Sequence, residues 1–334
     1  MSVNTEIAEL INKDGTMYEW ASKVEYKRNL TPEEKEISTV IDAWAKEMGE
    51  HGRDDNHELS DYIVKTITPE VYDKPDALLS TMFNRGSIGE FDDYIVNEAP
   101  KNTLKVYDAA KGGNVPKSYL DPKVYTPTWK HKQVDTEVRY SDLRRGGYKT
   151  VATMTTYALE SLQNAMISDV FNLLDSTIVG GNQVTAVTGA SLDKASMDKL
   201  ALYVLDQVVD GDSPFTFSLN KYAQAIANMA NYTDFMSNGM KEDFNRFGFI
   251  THYNGLDIAG ISGAKKTANN ELLVPDQRIF GVAGKIGELD MRGRIRVYET
   301  PDNNLEKFNI KITGFEYGTC ITRPEKVAKI SFTA

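Results

Sequence analysis

The stretch densest in chemistry is "HGRDDNHE", where His51, Asp54, Asp55, His57 and Glu58 bring imidazoles and carboxylates together. Such groups hold zinc or calcium only at spacings that let them converge, and this spacing matches neither kind of loop. It reads as a solvated turn between two helices, with Asp55 or Asn56 capping the second. His131 and His252 stand alone in strand-like contexts. Two stretches imitate phosphate loops. "GISGAKKT" has Lys265 where such a loop needs its second glycine, and "GVAGKIG" has Ile286 where a magnesium-binding Ser or Thr belongs. No Gly-x-Ser-x-Gly elbow anchors a hydrolase triad. The single cysteine, Cys320, excludes an intramolecular disulfide and reads as a small buried hydrophobe in a strand. The Asn231-Tyr232-Thr233 sequon carries no meaning in an intracellular chain. Among 48 acidic residues no carboxylate pair stands out as acid and base. The sequence therefore assigns no catalytic, cofactor-binding or metal residue, and the expectation is a protein that is not an enzyme.

Composition narrows the class. A chain of 334 residues, 41% hydrophobic and 26% charged, is a soluble globular protein with room for one large or two modest domains. "MSVNTEIAEL" has no basic region leading into an apolar run, and no stretch nears the roughly 18 apolar residues of a membrane span. The expectation is an intracellular protein with no membrane partner. A formal charge of −10 with scattered basic residues argues against gripping nucleic acid over a broad face. It leaves room for a protein that encloses DNA without gripping it.

The elements that would position any site are plainer. "TPEEKEISTVIDAWAKEMGE" opens with Thr31 as cap, Pro32 in the first turn and Glu34 closing a capping box. Behind it Ile37, Val40, Ile41, Trp44 and Met48 make one apolar stripe. A second helix is predicted over "HELSDYIVKTI". From Phe91 to Tyr140 the character changes. "TLKVYD" and "KQVDTEVRYS" read as strands, with Val134, Thr136, Val138 and Tyr140 alternating against polar residues. Between them runs "AAKGGNVPKSYLDPKVYTPT", and the whole reads as a projecting two-stranded arm with little core of its own.

"YKTVATMTTYALESLQNAMISDVFNLLD" then runs from Tyr148 to Asp175 without Pro or Gly, between the pairs Gly146-Gly147 and Gly180-Gly181. Val151, Met154, Ala158, Leu162, Ala165 or Met166, Val170 and Leu173 or Leu174 step by threes and fours, a helix of about 39 Å. Beyond it Met197, Leu200, Ala201, Val204, Leu205 and Val208 form another helical face. "PFTFSLN", "LDIAGIS" and "RIFGVA" read as strands, and "KYAQAIANMA" and "GMKEDFNRF" as helices, which indicates an α/β or α+β domain around a central sheet. "RIRVYE" and "EKFNIKITGFEYG" form a hairpin through "TPDNNL", with Phe308, Ile310 and Ile312 on one face and the long helix as its natural partner. "AKISF" closes the chain with Ala328, Ile330 and Phe332 on one side.

This order of elements resembles the major capsid protein of tailed bacteriophages, the Hong Kong 97 type. "VDTEVRYSDLRRGGYKTVATMTTYALESLQNAMISDVFNLLD" looks like the extended-loop strand running into the spine helix of that family. "LLVPDQRIFGVAGKIGELDMRGRIRVYETPDNNLEKFNIKITGFEYGTCITRPEKVAKISF" looks like its C-terminal end. The resemblance covers nearly the whole chain from about residue 80 and, more loosely, the segment before it.

The resemblance implies an α+β capsid fold with an N-terminal helical arm (1–90), an extended loop (91–140), a peripheral domain (141–182 and 287–324) and an axial domain (183–286 and 325–334). It implies a subunit of hexamers and pentamers that close into an icosahedral head around double-stranded DNA, in the virion and, during assembly, in the host cytoplasm. The N-terminal segment looks like an arm that stays, so a separate scaffold protein is expected, together with a portal and decoration proteins. An encapsulin-like nanocompartment shell shares the fold, and the long helical arm favours the viral version over it. An intracellular α+β enzyme with an unrecognised site is the alternative of a different class.

Overall fold

A computed structural model of the chain describes residues 16–51, 57–72, 76–92, 94–98, 104–108, 111, 114–119, 123–178, 180–189, 192–209, 211–229, 236–267, 269–302 and 305–333. The N-terminal part is helical: α1 (Thr16–Glu25), α2 (Pro32–His51), α3 (His57–Tyr72) and α4 (Ala77–Met82). Helix α2 starts where its capping box implies. Thr31 N–H donates to Glu34 Oε2 at 2.8 Å, and Glu34 N–H donates back to Thr31 Oγ1 at 3.3 Å. Its stripe is buried at Ile41, Trp44 and Met48, and Trp44 meets Tyr62 of α3 edge-on at 5.7 Å.

Strands β1 (Phe83–Ile88), β2 (Val96–Glu98), β3 (Lys123–Tyr125) and β4 (Thr128–Arg139) come next, then α5 (Tyr140–Gly146) and the 30-residue α6 (Tyr148–Thr177). At 1.5 Å per residue α6 is about 45 Å long. Gly147 sets its start. With φ of +52° and only 1.9 Å between a would-be Cβ and Asp42 Oδ1, no other residue fits. Asp42 Oδ1 in turn accepts the Tyr148 N–H at 3.4 Å, so a carboxylate from α2 sits on the positive end of the long helix.

The C-terminal half runs β5 (Val184–Thr188), α7 (Lys194–Asp206), β6 (Phe215–Leu219), α8 (Asn220–Ala227), α9 (Asn238–Phe247), β7 (His252–Tyr253), β8 (Leu256–Ile261) and β9 (Arg278–Val282). Strands β10 (Gly287–Arg292), β11 (Arg296–Asp302), β12 (Lys307–Ile321) and β13 (Val327–Thr333) complete it. These strands form two main sheets. One is six-stranded in the order β5-β13-β9-β6-β8-β7, covered by α7 and α8 around the core of Met197, Leu200, Val204, Ile226 and Ile330. The other is centred on β12. Strand β4 pairs with β12 along one side, while β10 and then β11 pair along the other, and β1 lies parallel to β10.

The β12 register slips by one residue between Ile312 and Phe315. That bulge inverts the inward parity. Phe308, Ile310 and Ile312 are buried before it, and Phe315 and Tyr317 after it. The whole strand thereby keeps one face on α6. Gly314 permits the bend, with φ of +82° and Arg294 O 2.2 Å from where a Cβ would stand.

Two readings change. "TLKVYD" is not a strand, since residues 104–108 have no regular structure, and the small two-stranded sheet is β2 with β3. "KQVDTEVRYS" is not half of a projecting arm, because β4 is a full member of the β12 sheet. Its alternation needed a core, and β12 and α6 supply it. The stripe read on α6 was also too narrow. Ala152, Leu159 and Phe171 are buried besides Val151, Ala158, Leu162, Met166, Val170 and Leu174. The N-terminal helices cover one side, the β12 sheet another, and Phe171 meets Phe217 of the six-stranded sheet in a tilted ring contact at 5.0 Å.

Leu162 is 1% exposed among these layers. Leu162→Asp is expected to abolish soluble folding, because burying an unpaired carboxylate costs several kcal/mol, while the volume-conserving Leu162→Met costs less than about 1.5 kcal/mol. Circular-dichroism melts of the two variants check this.

Candidate functional site

Between β1 and β4 the chain leaves the β12 sheet and returns to it, and the sheet's outer face clasps both ends of the excursion. Glu288, Asp290 and Arg292 alternate along β10 with Leu289 and Met291, which face the core. Tyr94 donates its hydroxyl to Glu288 Oε2 at 2.7 Å. Arg292 donates from Nε to the Glu90 carbonyl at 3.0 Å and from Nη2 to the Asp92 carbonyl at 3.2 Å. Its guanidinium lies 5.1 Å from the Trp129 ring centroid, a cation–π contact with the first turn of β4. On the returning side Tyr125 donates to the Thr322 carbonyl at 3.3 Å. Gly318 leaves room for this: a Cβ there would stand 2.9 Å from Trp129 and 3.0 Å from Pro127.

Asp290 is the unusual member. It is 2% exposed, and its Oδ2 has no hydrogen-bond partner among the described residues. Burial first, and then the neighbouring Glu288 carboxylate, push it up to about 6, against hydrogen bonds from Tyr94 and the Gly86 N–H. Burial and the bond to Glu288 push the Tyr94 hydroxyl up as well, which keeps it a donor. The root of the excursion therefore rests on a carboxylate pair that shares one phenol.

Beyond the root the character is apolar. Eight of the sixteen large hydrophobic side chains exposed among the described residues lie between 91 and 124. Phe91, Val106 and Tyr119 are 90%, 97% and 77% exposed. Fully burying one such side chain is worth about 1.5–3 kcal/mol, so a cluster of them marks a surface made for a partner.

Of the residues singled out for chemistry, those whose side chains are described are dispersed, and the side chains of His51, His57 and Glu58 lie outside them. Asp54 and Asp55 lie outside the described residues, and no group of three or more potential metal ligands occurs among those described. His131 contacts Thr313 Oγ1 at 3.2 Å, and His252 contacts Asp257 Oδ1 at 2.5 Å, on different sheets. Lys265 lies in the turn after β8. Lys285 donates to the carbonyls of Ser80 and Phe83, closing the C-terminal end of α4, and burial lowers its pKa. The chain then enters strand β10 at Gly287, so "GVAGKIG" is a structural clip. Cys320 is buried in β12, as its type implied. The acidic, acidic, basic alternation of Glu288, Asp290 and Arg292 was the unread signal for the clasp.

No protein-family model and no curated protein matches the chain. Solved structures do. One, of Gordonia phage Cozz, superposes with a TM-score of 0.55 at 12% identity, covering 78% of this chain and 87% of its own. The capsid structure of the cyanophage P-SCSP1u gives 0.54 at 8% identity, covering 79% and 94%. The capsid of an empty GTA particle gives 0.53 at 9%, covering 77% and 89%. The chain has the Hong Kong 97-type capsid fold. Within that fold α6 stands as the spine helix, the segment between β1 and β4 as the extended loop, and the six-stranded sheet as the centre of the axial α/β part. Sequence identity this low leaves packing pattern and element order as the shared content.

A carboxyl group raised on folding favours the native state most below the ordinary aspartate pKa of about 3.9, and that contribution is lost as pH rises through about 6. Asp290→Asn mimics the protonated form. It is expected to raise the thermal midpoint above wild type at pH 8 and to match wild type at pH 4. Equal melting curves at both pH values would show that the clasp carries no proton-linked cost.

Proposed function

We propose that this chain is the major capsid protein of a tailed, double-stranded DNA phage, a subunit that self-assembles into an icosahedral head. The capsid fold is the observation that carries this reading. The exposed apolar loop supports it, because a subunit in a shell can bury that surface on a neighbour. In this reading residues 1–90 form the N-terminal arm, 91–140 the extended loop, 141–182 and 287–324 the peripheral domain, and 183–286 and 325–334 the axial domain. The placement of β5 to β9 and β13 in the six-stranded sheet supports the axial boundaries, and β10 to β12 in the other sheet supports the peripheral ones. Strands β1 and β4 then anchor the arm and the loop on the peripheral sheet.

The subunit's partners are copies of itself in hexamers and pentamers, a separate scaffold protein, a portal and decoration proteins. It acts in the virion shell, after assembly in the host cytoplasm. A formal charge of −10 keeps the shell from adhering to the genome packed inside it. No step of this function requires catalysis.

Expression with the cognate scaffold, followed by sedimentation and electron microscopy, tests the reading. Ring-shaped capsomers or closed shells of megadalton size are expected. A chain that remains monomeric under those conditions is not a shell subunit.

The loop supplies a second test. Lys111 and Lys117 are exposed in the free chain, so trypsin is expected to cut there rapidly in unassembled subunits and slowly in closed shells. Equal cleavage in both states would remove the loop from the intersubunit contact.

A further inference from the structure

The handover from β10 to β11 along β12 leaves a cleft of about 440 Å³ on the sheet's outer face, beside the root of the extended loop. Its origin is geometric. Gly293 turns the chain between the two strands with φ of +75°, opposite the bulge at Gly314. Four cations line it, Arg292, Arg294, Arg296 and Lys311, against the carboxylates of Glu90 and Glu316. Arg292 is committed to the Glu90 and Asp92 carbonyls, and Arg296 pairs with Glu90 Oε2. The side chains of Arg294 and Lys311 are exposed and have no hydrogen-bond or ion-pair partner among the described residues.

We propose that this cleft is a binding site for an acidic segment of a second copy of this chain, presenting two carboxylates. The inference deepens the shell reading and rests on it for the identity of the partner. The chemistry rests on the cleft alone. A guanidinium can take a carboxylate in paired hydrogen bonds, and Glu90, bonded to Arg296 through one oxygen, is already a carboxylate occupant supplied from within the chain. One incoming carboxylate meets Arg294 and Lys311, and the second replaces Glu90 on Arg296. Charge complementarity selects the partner: 48 acidic against 38 basic residues make the rest of each copy predominantly negative, while this concavity is positive. Because Glu90 stands at the root of the extended loop, filling the cleft exchanges an internal tether for an intersubunit one. The loop root is then held by Arg292, Tyr94 and Tyr125.

Hexaglutamate, titrated into the purified unassembled chain by calorimetry at low salt, is the probe. Saturable binding is expected in wild type and none in the Arg294→Glu/Lys311→Glu double variant, whose two surface changes leave the circular-dichroism spectrum unaltered. Glu90→Gln removes the internal competitor and is expected to bind about threefold more tightly, a gain that a merely structural role for Glu90 would not produce. No heat with wild-type chain, or equal binding by the double variant, overturns the site. Tripolyphosphate binding in preference to hexaglutamate overturns the carboxylate assignment and makes the cleft a phosphate site. Sedimentation then addresses the partner: the double variant is expected to need about tenfold more protein to self-associate. Hexaglutamate binding with unchanged self-association places the acidic segment on some other protein. A wild-type chain that never associates removes both the shell reading and the second-copy partner, while the titration still decides what the cleft binds.

Discussion

Both main sheets of this chain are hung on one helix, and two aspartates six residues apart do the hanging. Asp169 accepts from Lys130 and Lys132 of β4, at 3.1 and 2.8 Å, and from the Tyr317 hydroxyl of β12. Asp175 accepts from Lys329 of β13 at 2.6 Å and from Arg278 of β9 at 3.3 Å. The first aspartate binds the peripheral sheet and the second binds the axial sheet. Burial would raise Asp169, and the bonds from Lys132, Tyr317 and Lys130 outweigh it, so the carboxylate is held below its ordinary range and stays charged. Lys329, 8% exposed, also donates to the Asp175 carbonyl, placing a cation at the negative end of the helix. The other end is fixed by Asp42, and α1 adds Glu25, which accepts from Thr153 and Tyr157. A long helix pegged to both sheets at defined turns keeps the two halves of the chain in a fixed relation.

The same constraint shapes the β12 sheet. A strand of 15 residues that must present one face to a straight helix accumulates twist, and the bulge near Gly314 resets it. The cost is a break in pairing on the opposite side, where β10 ends and β11 begins. The basic cleft occupies that break. Its position at the loop root stems from the need to keep both halves of β12 on α6, so the packing of the core and the place of the surface feature have one cause.

What could be read in the residues divides along the same line. The long helix, the capping box at Thr31 and Glu34, the C-terminal hairpin and strands β6, β8, β9 and β13 announced themselves by period or by turn chemistry, because each depends on neighbours in sequence, whereas β5 did not. The role of β4 did not. Its alternation at Val134, Thr136 and Val138 fits an arm strand or a sheet strand equally, and only the register with β12, far along the chain, decides between them. The aspartate pegs were hidden for a similar reason. Asp169 falls on the polar side of the predicted stripe, and nothing local distinguishes it from Glu160, which accepts from the Tyr26 hydroxyl at the surface. Long-range pairing also determined which face of β10 was outward, and so concealed the clasp at Asp290.

The extended loop is where the isolated subunit is least self-sufficient. The three-residue strands β2 and β3 give it a short ladder, with Val96 the one large apolar side chain buried there among the described residues, while Phe91, Val106, Tyr119 and Val124 face outward. A pair of strands that short is at best marginally stable alone. The loop is therefore held at its root by Tyr94, Arg292 and Tyr125, and beyond it the described residues expose apolar surface. The chain thus shows two kinds of incompleteness among its described residues, exposed apolar side chains in the loop and unpaired cations, Arg294 and Lys311, in the cleft at its root. The apolar surface supplies affinity without direction, and the charged cleft supplies direction with little net affinity once desolvation is counted. A neighbour that satisfies both at once gains a contact that is favourable and also fixed in register.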